Sequence, residues 1–153
     1  MPARIPKEYG TVTPYLMVSN SLEAIELYKQ VFEATEHLKL TTPDGHQVLH
    51  AEVKIGDSIV MLSDITPDMD VPNLSGVEWP PITIMLYVED VDSTYARAIA
   101  AGFTSEMEPN DMFYGDRMSK VRDPYGHRWA ISTHIEDVPQ DEVERRVRAM
   151  FEA

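Results

Sequence analysis

The chain has 153 residues, 43% of them hydrophobic and 25% charged, a composition that fits one folded unit or two small modules sharing a core and excludes a disordered tail. Thirteen Lys and Arg against 26 Asp and Glu give a net charge of −13, which repels phosphate backbones and anionic lipid, so neither nucleic acid nor a membrane is an expected partner. The absence of cysteine excludes disulfides, thiolate metal ligands and a cysteine nucleophile. No run approaches the roughly 20 apolar residues of a bilayer span, and Met1-Pro-Ala-Arg-Ile-Pro-Lys lacks the apolar segment of a signal peptide, so a cytoplasmic location is expected.

Thr11 to Val18 is rich in β-formers, and Asn20-Ser21 offers an N-cap to a helix in which Leu22, Ile25, Tyr28, Val31 and Phe32 recur at helical spacing. A β-rich stretch after Ala34 reaches Thr42, and Pro43-Asp44-Gly45 makes a turn. From Val48 to Ile55, Leu49, Ala51, Val53 and Ile55 alternate with His50, Glu52 and Lys54, the pattern of a half-buried strand. Gly56-Asp57 closes a hairpin into Ser58 to Ser63, and a two-residue loop sets Ile55 opposite Ser58, Glu52 opposite Met61 and His50 opposite Ser63. Residues 11–63 therefore read as a βαβββ module.

Residues 64–81 contain Pro67, Pro72, Pro80 and Pro81 and read as a connection. A second βαβββ module follows over 82–135. Ile82 to Val88 is its first strand, and Asp90 or Asp92 caps a helix through Tyr95, Ala98 and Ile99 that Gly102 ends. Phe103 to Met107, Arg117 to Arg122 and Arg128 to His134 are its remaining strands, with turns at Pro109-Asn110-Asp111 and Asp123-Pro124-Tyr125-Gly126. Aligning Val18 with Val88 superposes the two patterns at an offset of 70 residues. Over 139–151, Val143, Val147, Met150 and Phe151 mark a terminal helix whose apolar stripe would be buried by docking on its own domain or on a partner subunit.

A duplicated βαβββ pattern ending in Arg122-Asp123-Pro124-Tyr125-Gly126-His127-Arg128-Trp129 resembles the vicinal oxygen chelate superfamily of glyoxalase I, extradiol dioxygenases and fosfomycin- and bleomycin-resistance proteins. Pro14-Tyr15-Leu16-Met17-Val18, Leu27-Tyr28 with Val31-Phe32, His50-Ala51-Glu52, Met61-Leu62-Ser63-Asp64 and Met112-Phe113-Tyr114-Gly115-Asp116-Arg117 are similar to its PhnB-like branch. The resemblance implies one α+β domain over 1–153, with tandem βαβββ modules forming a curled, incomplete barrel-like mixed sheet, helices outside, and usually a homodimer. It also implies a structural ion pair between Asp116 and Arg117.

Metal-dependent members of that superfamily take four ligands from the first and last strands of the two modules. The matching positions here are Thr13, Met61, Thr83 and Ala130, none of which suits a divalent ion, so no metal and no cofactor are expected. The inward face in this register carries Tyr15, Met17, Met85, Tyr87, Met118, Lys120 and Ser132 besides those four. Such a lining suits a partly hydrophobic organic ligand, or simply fills a core. His50 and Glu52, two apart on one strand, share a face and are the candidate catalytic residues, or a hydrogen-bonded pair with no catalytic part. Trp129 and Val121 belong under the helices, whereas Trp79 and Phe113-Tyr114-Gly115 lie on loops that can flank a cavity or meet a partner.

The expected function is therefore binding or sequestration of a small organic molecule. A metal-dependent lyase, isomerase or dioxygenase with a displaced metal site around His50 and Glu52 is the alternative, and a structural or regulatory dimer a further one.

Overall fold

In the computed structural model, which describes residues 1–70 and 74–152, the elements run β1 (Tyr15–Val18), α1 (Ser21–Phe32), β2 (Thr35–Thr41), β3 (Val48–Ile55), β4 (Ser58–Asp64), β5 (Thr83–Tyr87), α2 (Val91–Ala100), β6 (Thr104–Asp111), β7 (Asp116–Arg122), β8 (Arg128–His134) and α3 (Gln140–Glu152). A short 3₁₀ turn, Leu74–Gly76, lies in the connection; Pro72 falls outside the described residues. The chain divides into two compact units, Met1–Trp79 and Pro80–Ala153.

Each unit is a four-stranded mixed sheet, ordered β1-β4-β3-β2 in the first and β5-β8-β7-β6 in the second. The first strand of each pairs in parallel with the last, and the other pairs are antiparallel. Neither sheet closes on itself, so the fold is mixed α+β with two open βαβββ sheets. One helix covers one face of its own sheet: α1 packs on β3 and β4, and α2 on β6, β7 and β8.

The repeat extends to how each helix begins. Asn20 and Asp90 both cap with Oδ1, accepting the backbone N–H of Glu23 and of Ser93 at 3.2 Å. A residue at the end of the last strand, Asp64 in β4 and the penultimate Thr133 in β8, then serves the first turn: Asp64 Oδ1 accepts from Ser21 N at 2.7 Å, and Thr133 Oγ1 accepts from Val91 N at 2.9 Å. Asp64 also accepts the Val48 N–H at 2.8 Å, joining β4, α1 and the start of β3. The cores lie under the helices, with Tyr28, Val31, Val53 and Leu62 buried in the first unit and Val121, Trp129 and Ile131 in the second.

The hairpin register places Ile55 opposite Ser58 and Glu52 opposite Met61, as its two-residue loop requires. Several boundaries differ from the sequence expectation. β1 begins at Tyr15 rather than Thr11, because Pro14 has no N–H to donate, although its carbonyl still accepts from Met61 N at 2.9 Å. β6 does not stop before Pro109 but runs to Asp111, with a register shift between Met107 and Asn110 on the edge strand, where a proline removes no ladder bond. The turn lies instead at Met112–Gly115, closed by Gly115 N to Met112 O at 3.1 Å.

The Asp116–Arg117 ion pair does not form. Neighbouring strand residues point to opposite faces, so Arg117 pairs with Asp92 at 2.8 Å and Asp111 at 2.9 Å, while Asp116 turns to His134. Helix α3 buries none of its residues; Met150 and Phe151 are exposed, and Arg146 ties the helix to the Phe113 carbonyl at 2.8 Å and to Glu136 at 3.0 Å.

Candidate functional site

In the first unit, strand pairing alone assembles a continuous face opposite α1. Tyr15 lies beside Met61, Met61 beside Glu52, and Glu52 beside Leu38. The next row holds Met17 beside Ser63 and His50 beside Leu40. Tyr15, Leu38 and Leu40 are exposed on this face, whereas Glu52 is only 3% exposed.

A buried carboxylate is tolerable only when donors surround it. Glu52 receives the Tyr9 hydroxyl on Oε1 and His50 Nε2 on Oε2 at 2.7 Å, and His37 Nε2 stands 3.9 Å away. Burial pushes the Glu52 carboxyl up, but the hydrogen bonds from Tyr9 and His50 outweigh it, and its pKa falls below the ordinary carboxylate value. The same bond holds the Tyr9 phenol up. Because an ionised carboxylate only accepts, its bond to His50 assigns a proton to Nε2. Nδ1 of His50 lies 2.9 Å from the Tyr15 hydroxyl, and a neutral imidazole accepts there.

In the second unit, Met85 lies beside Ala130 and Ala130 beside Lys120; Tyr87 lies beside Ser132 and Ser132 beside Met118. Thr83 lies beside Arg128 at the end of the same face, and Thr13, in the first unit, precedes β1. Asp116, 3% exposed, accepts from Tyr87 at 2.8 Å and from His134 Nδ1 at 2.9 Å, and His134 Nε2 reaches Asp137 at 2.7 Å. With Asp116 and Asp137 both accepting from the ring, the His134 pKa is raised, while the bond to Asp116 raises that of Tyr87. Trp129 and Val121 stand opposite each other, both buried, and Trp79 is exposed.

The structure thus brings Tyr15, His50, Glu52 and Met61 together, and separately groups Met85, Tyr87, Met118, Lys120 and Ala130. Sequence reasoning missed Tyr9, His37, Leu38, Leu40 and the Asp116–His134 pair. Leu38 and Leu40 carried a period-2 signal; Tyr9 carried none, since it reaches Glu52 from 43 residues away. His37 sits where the β2 register shifts between Glu36 and Leu38, which a regular alternation does not reveal. Among the described residues no three His, Asp or Glu side chains are grouped so as to hold a metal ion.

Two βαβββ units, each pairing its first strand in parallel with its last, define a class of tandem open-sheet proteins that carry polar groups on the face away from the helix. The chain belongs to the Glyoxalase/Bleomycin resistance protein/Dioxygenase superfamily, whose family model matches residues 10–131. It is 35% identical over 139 residues to the uncharacterized protein Mb0911c of Mycobacterium bovis, covering 87% of this chain and 89% of that one. Among solved structures it resembles TioX from Micromonospora sp. ML1, with a TM-score of 0.64, 25% identity and coverage of 82% of this chain and 99% of that one. The fold is also that of the PhnB protein from Bacillus cereus, described as a putative 3-demethylubiquinone-9 3-methyltransferase, at a TM-score of 0.62, 15% identity and coverage of 81% and 99%. No helix among the described residues is long and apolar enough to cross a membrane.

Proposed function

We propose that the protein binds a small, partly hydrophobic organic molecule on the inner face of its first unit without a metal ion. The observation that carries this reading is the juxtaposition of the exposed Tyr15, Leu38 and Leu40 with the buried Glu52, each of whose oxygens accepts a hydrogen bond. Apolar side chains on an open sheet face supply contact area, and the Tyr15–His50 pair supplies a polar group that orients a ligand. The residues at the superfamily's metal positions do not fit a divalent ion: threonine hydroxyls, a thioether and a methyl group are neutral and poorly matched donors.

A displaced metal site is the second reading, favoured by one observation: Glu52 is approached by the imidazoles of both His50 and His37, and His37 also meets Glu8 at 3.0 Å. These donor atoms are engaged with one another, so a metal has to displace the hydrogen bonds. Native mass spectrometry of protein prepared without metal-affinity resin or chelator separates the two readings. Extra mass of organic size with no metal is the expected result; a stoichiometric divalent ion that is lost in His50→Ala overturns the proposal.

A further inference from the structure

The two units each contain an imidazole against a buried carboxylate, but they differ in what the second ring nitrogen meets. His134 spends both nitrogens on carboxylates, Asp116 and Asp137, and has no free basic position. His50 spends only Nε2 on Glu52, and its Nδ1 faces the hydroxyl of Tyr15 at 2.9 Å. That order, hydroxyl to imidazole to buried carboxylate, assigns the parts of an activated hydroxyl by role: the carboxylate fixes the tautomer and the free nitrogen takes the hydroxyl proton. Tyr15 is 47% exposed on the inner face, while Glu52 is 3% exposed. Tyr9, bonded to the other oxygen of Glu52, holds that carboxylate in place.

We propose that Tyr15, His50 and Glu52 form a metal-independent acid–base relay in which the Tyr15 phenol moves a proton on a carbonyl-bearing organic molecule. The proposal rests on the reading that this face binds such a molecule. In the forward step the phenolic proton passes to His50 Nδ1 as the phenol oxygen takes an acidic proton from the carbon next to the ligand's carbonyl. The imidazolium so formed lies against the Glu52 carboxylate. In the return step Nδ1 gives its proton back to the phenol oxygen, which delivers a proton to the enolate at oxygen or at another carbon. The net change is a proton shift within the ligand, and no oxidant or reductant is consumed. A phenol, with an ordinary pKa near 10, is closer in acidity to enols and phenols than a carboxylic acid is, and so suits this transfer.

The test uses p-nitrophenyl acetate, a small ester that reports phenol activation directly. The Tyr15 oxygen attacks the acetyl carbon, the ester C–O bond breaks, nitrophenolate leaves and the phenolic proton goes to His50. Peptide mapping by mass spectrometry gives the acetylation rate at each tyrosine. Tyr87 is an internal control, since it is 65% exposed yet bonded to a carboxylate instead of a free imidazole nitrogen. Tyr15 is expected to acetylate at least about a hundredfold faster than Tyr87, the lower end of general-base assistance, and His50→Gln is expected to remove that advantage. Tyr87 labelling as fast as Tyr15 in the unaltered protein, or unchanged Tyr15 labelling in His50→Gln, overturns the relay.

Fluorescence of Nile red, a neutral apolar dye, is measured on the same samples. Dye binding without preferential Tyr15 labelling upholds the binding reading and overturns the relay. Preferential labelling without dye binding supports the activation of Tyr15 by His50 and overturns the binding reading, and with it the proton shift on a bound ligand.

Discussion

The indole N–H of Trp129 donates to Oδ2 of Asp123 at 2.9 Å, and both residues are buried. The other oxygen of Asp123 accepts the backbone N–H groups of Tyr125 at 3.0 Å and His127 at 2.9 Å. One carboxylate thus shapes the Asp-Pro-Tyr-Gly turn and anchors the largest core side chain of the second unit. Asp123→Ala removes the carboxylate that accepts from the buried indole and from two turn amides, and is expected to cost about 3 kcal/mol, read as a shift in the urea midpoint. Asp123→Asn, which keeps an acceptor on one side, is expected to lose less.

Glu52 gives the first unit an acid-sensitive centre. Its carboxyl has a folded-state pKa below the ordinary carboxylate value, so its contribution to stability is present above the unfolded value of about 4.3 and is lost as pH falls through the lower folded one. Glu52→Gln is therefore expected to destabilise the protein most at neutral pH, with the difference from the unaltered protein narrowing below about pH 4. Thermal denaturation across pH 3 to 7, a range of about four units around that carboxylate value, checks it. A difference that stays constant over the range contradicts the assignment.

His134 behaves in the opposite sense. Its folded-state pKa is raised by Asp116 and Asp137, so its stabilising charge is complete below the unfolded value of about 6.5 and is lost as pH rises through the folded one. Titration of its ring resonance by NMR is expected to show a midpoint above that ordinary value, and Asp137→Asn is expected to lower it. A midpoint unmoved by that substitution removes Asp137 from the cause.

Gly115 and Gly45 share a positive φ, 104° and 76°, but differ in space. A Cβ on Gly115 would collide with the Glu136 carbonyl oxygen, whereas at Gly45 nothing lies within 4 Å. Gly45→Ala is expected to cost only the left-handed penalty of about 1 kcal/mol. Gly115→Ala adds the displacement of the chain at Glu136, which also carries the tie to Arg146, and is expected to cost about 3 kcal/mol. Chemical denaturation of the two variants side by side checks the ranking.

The local signals in the sequence were strong where one face of an element is buried. Alternation over Val48–Ile55, a two-residue hairpin loop, the Asn20 cap, the choice of Asp90 or Asp92 at the second helix and the period of Ile25, Tyr28 and Phe32 place their elements correctly because each depends on neighbours within a few residues; Leu22, at the same period, is exposed. They failed at Pro109, where an edge strand and a bulge accommodate a residue that reads as a turn. The Asp116–Arg117 pair, which the family resemblance implied, does not form because adjacent residues of a strand point to opposite faces.

What the sequence determined by itself is the duplicated βαβββ order, the pairing of Glu52 with Met61 and the placing of His50 and Glu52 on one face, since periodicity and turn length fix these without reference to distant residues. What only the tertiary structure decided is the chemistry of that face. Tyr9 reaches Glu52 across 43 residues and Tyr15 reaches His50 across 35, contacts that follow from parallel pairing of β1 with β4 and from the course of the segment before it. A carboxylate's charge state and an imidazole's tautomer depend on which donors stand within hydrogen-bond distance, and that is a property of the folded neighbourhood rather than of local spacing.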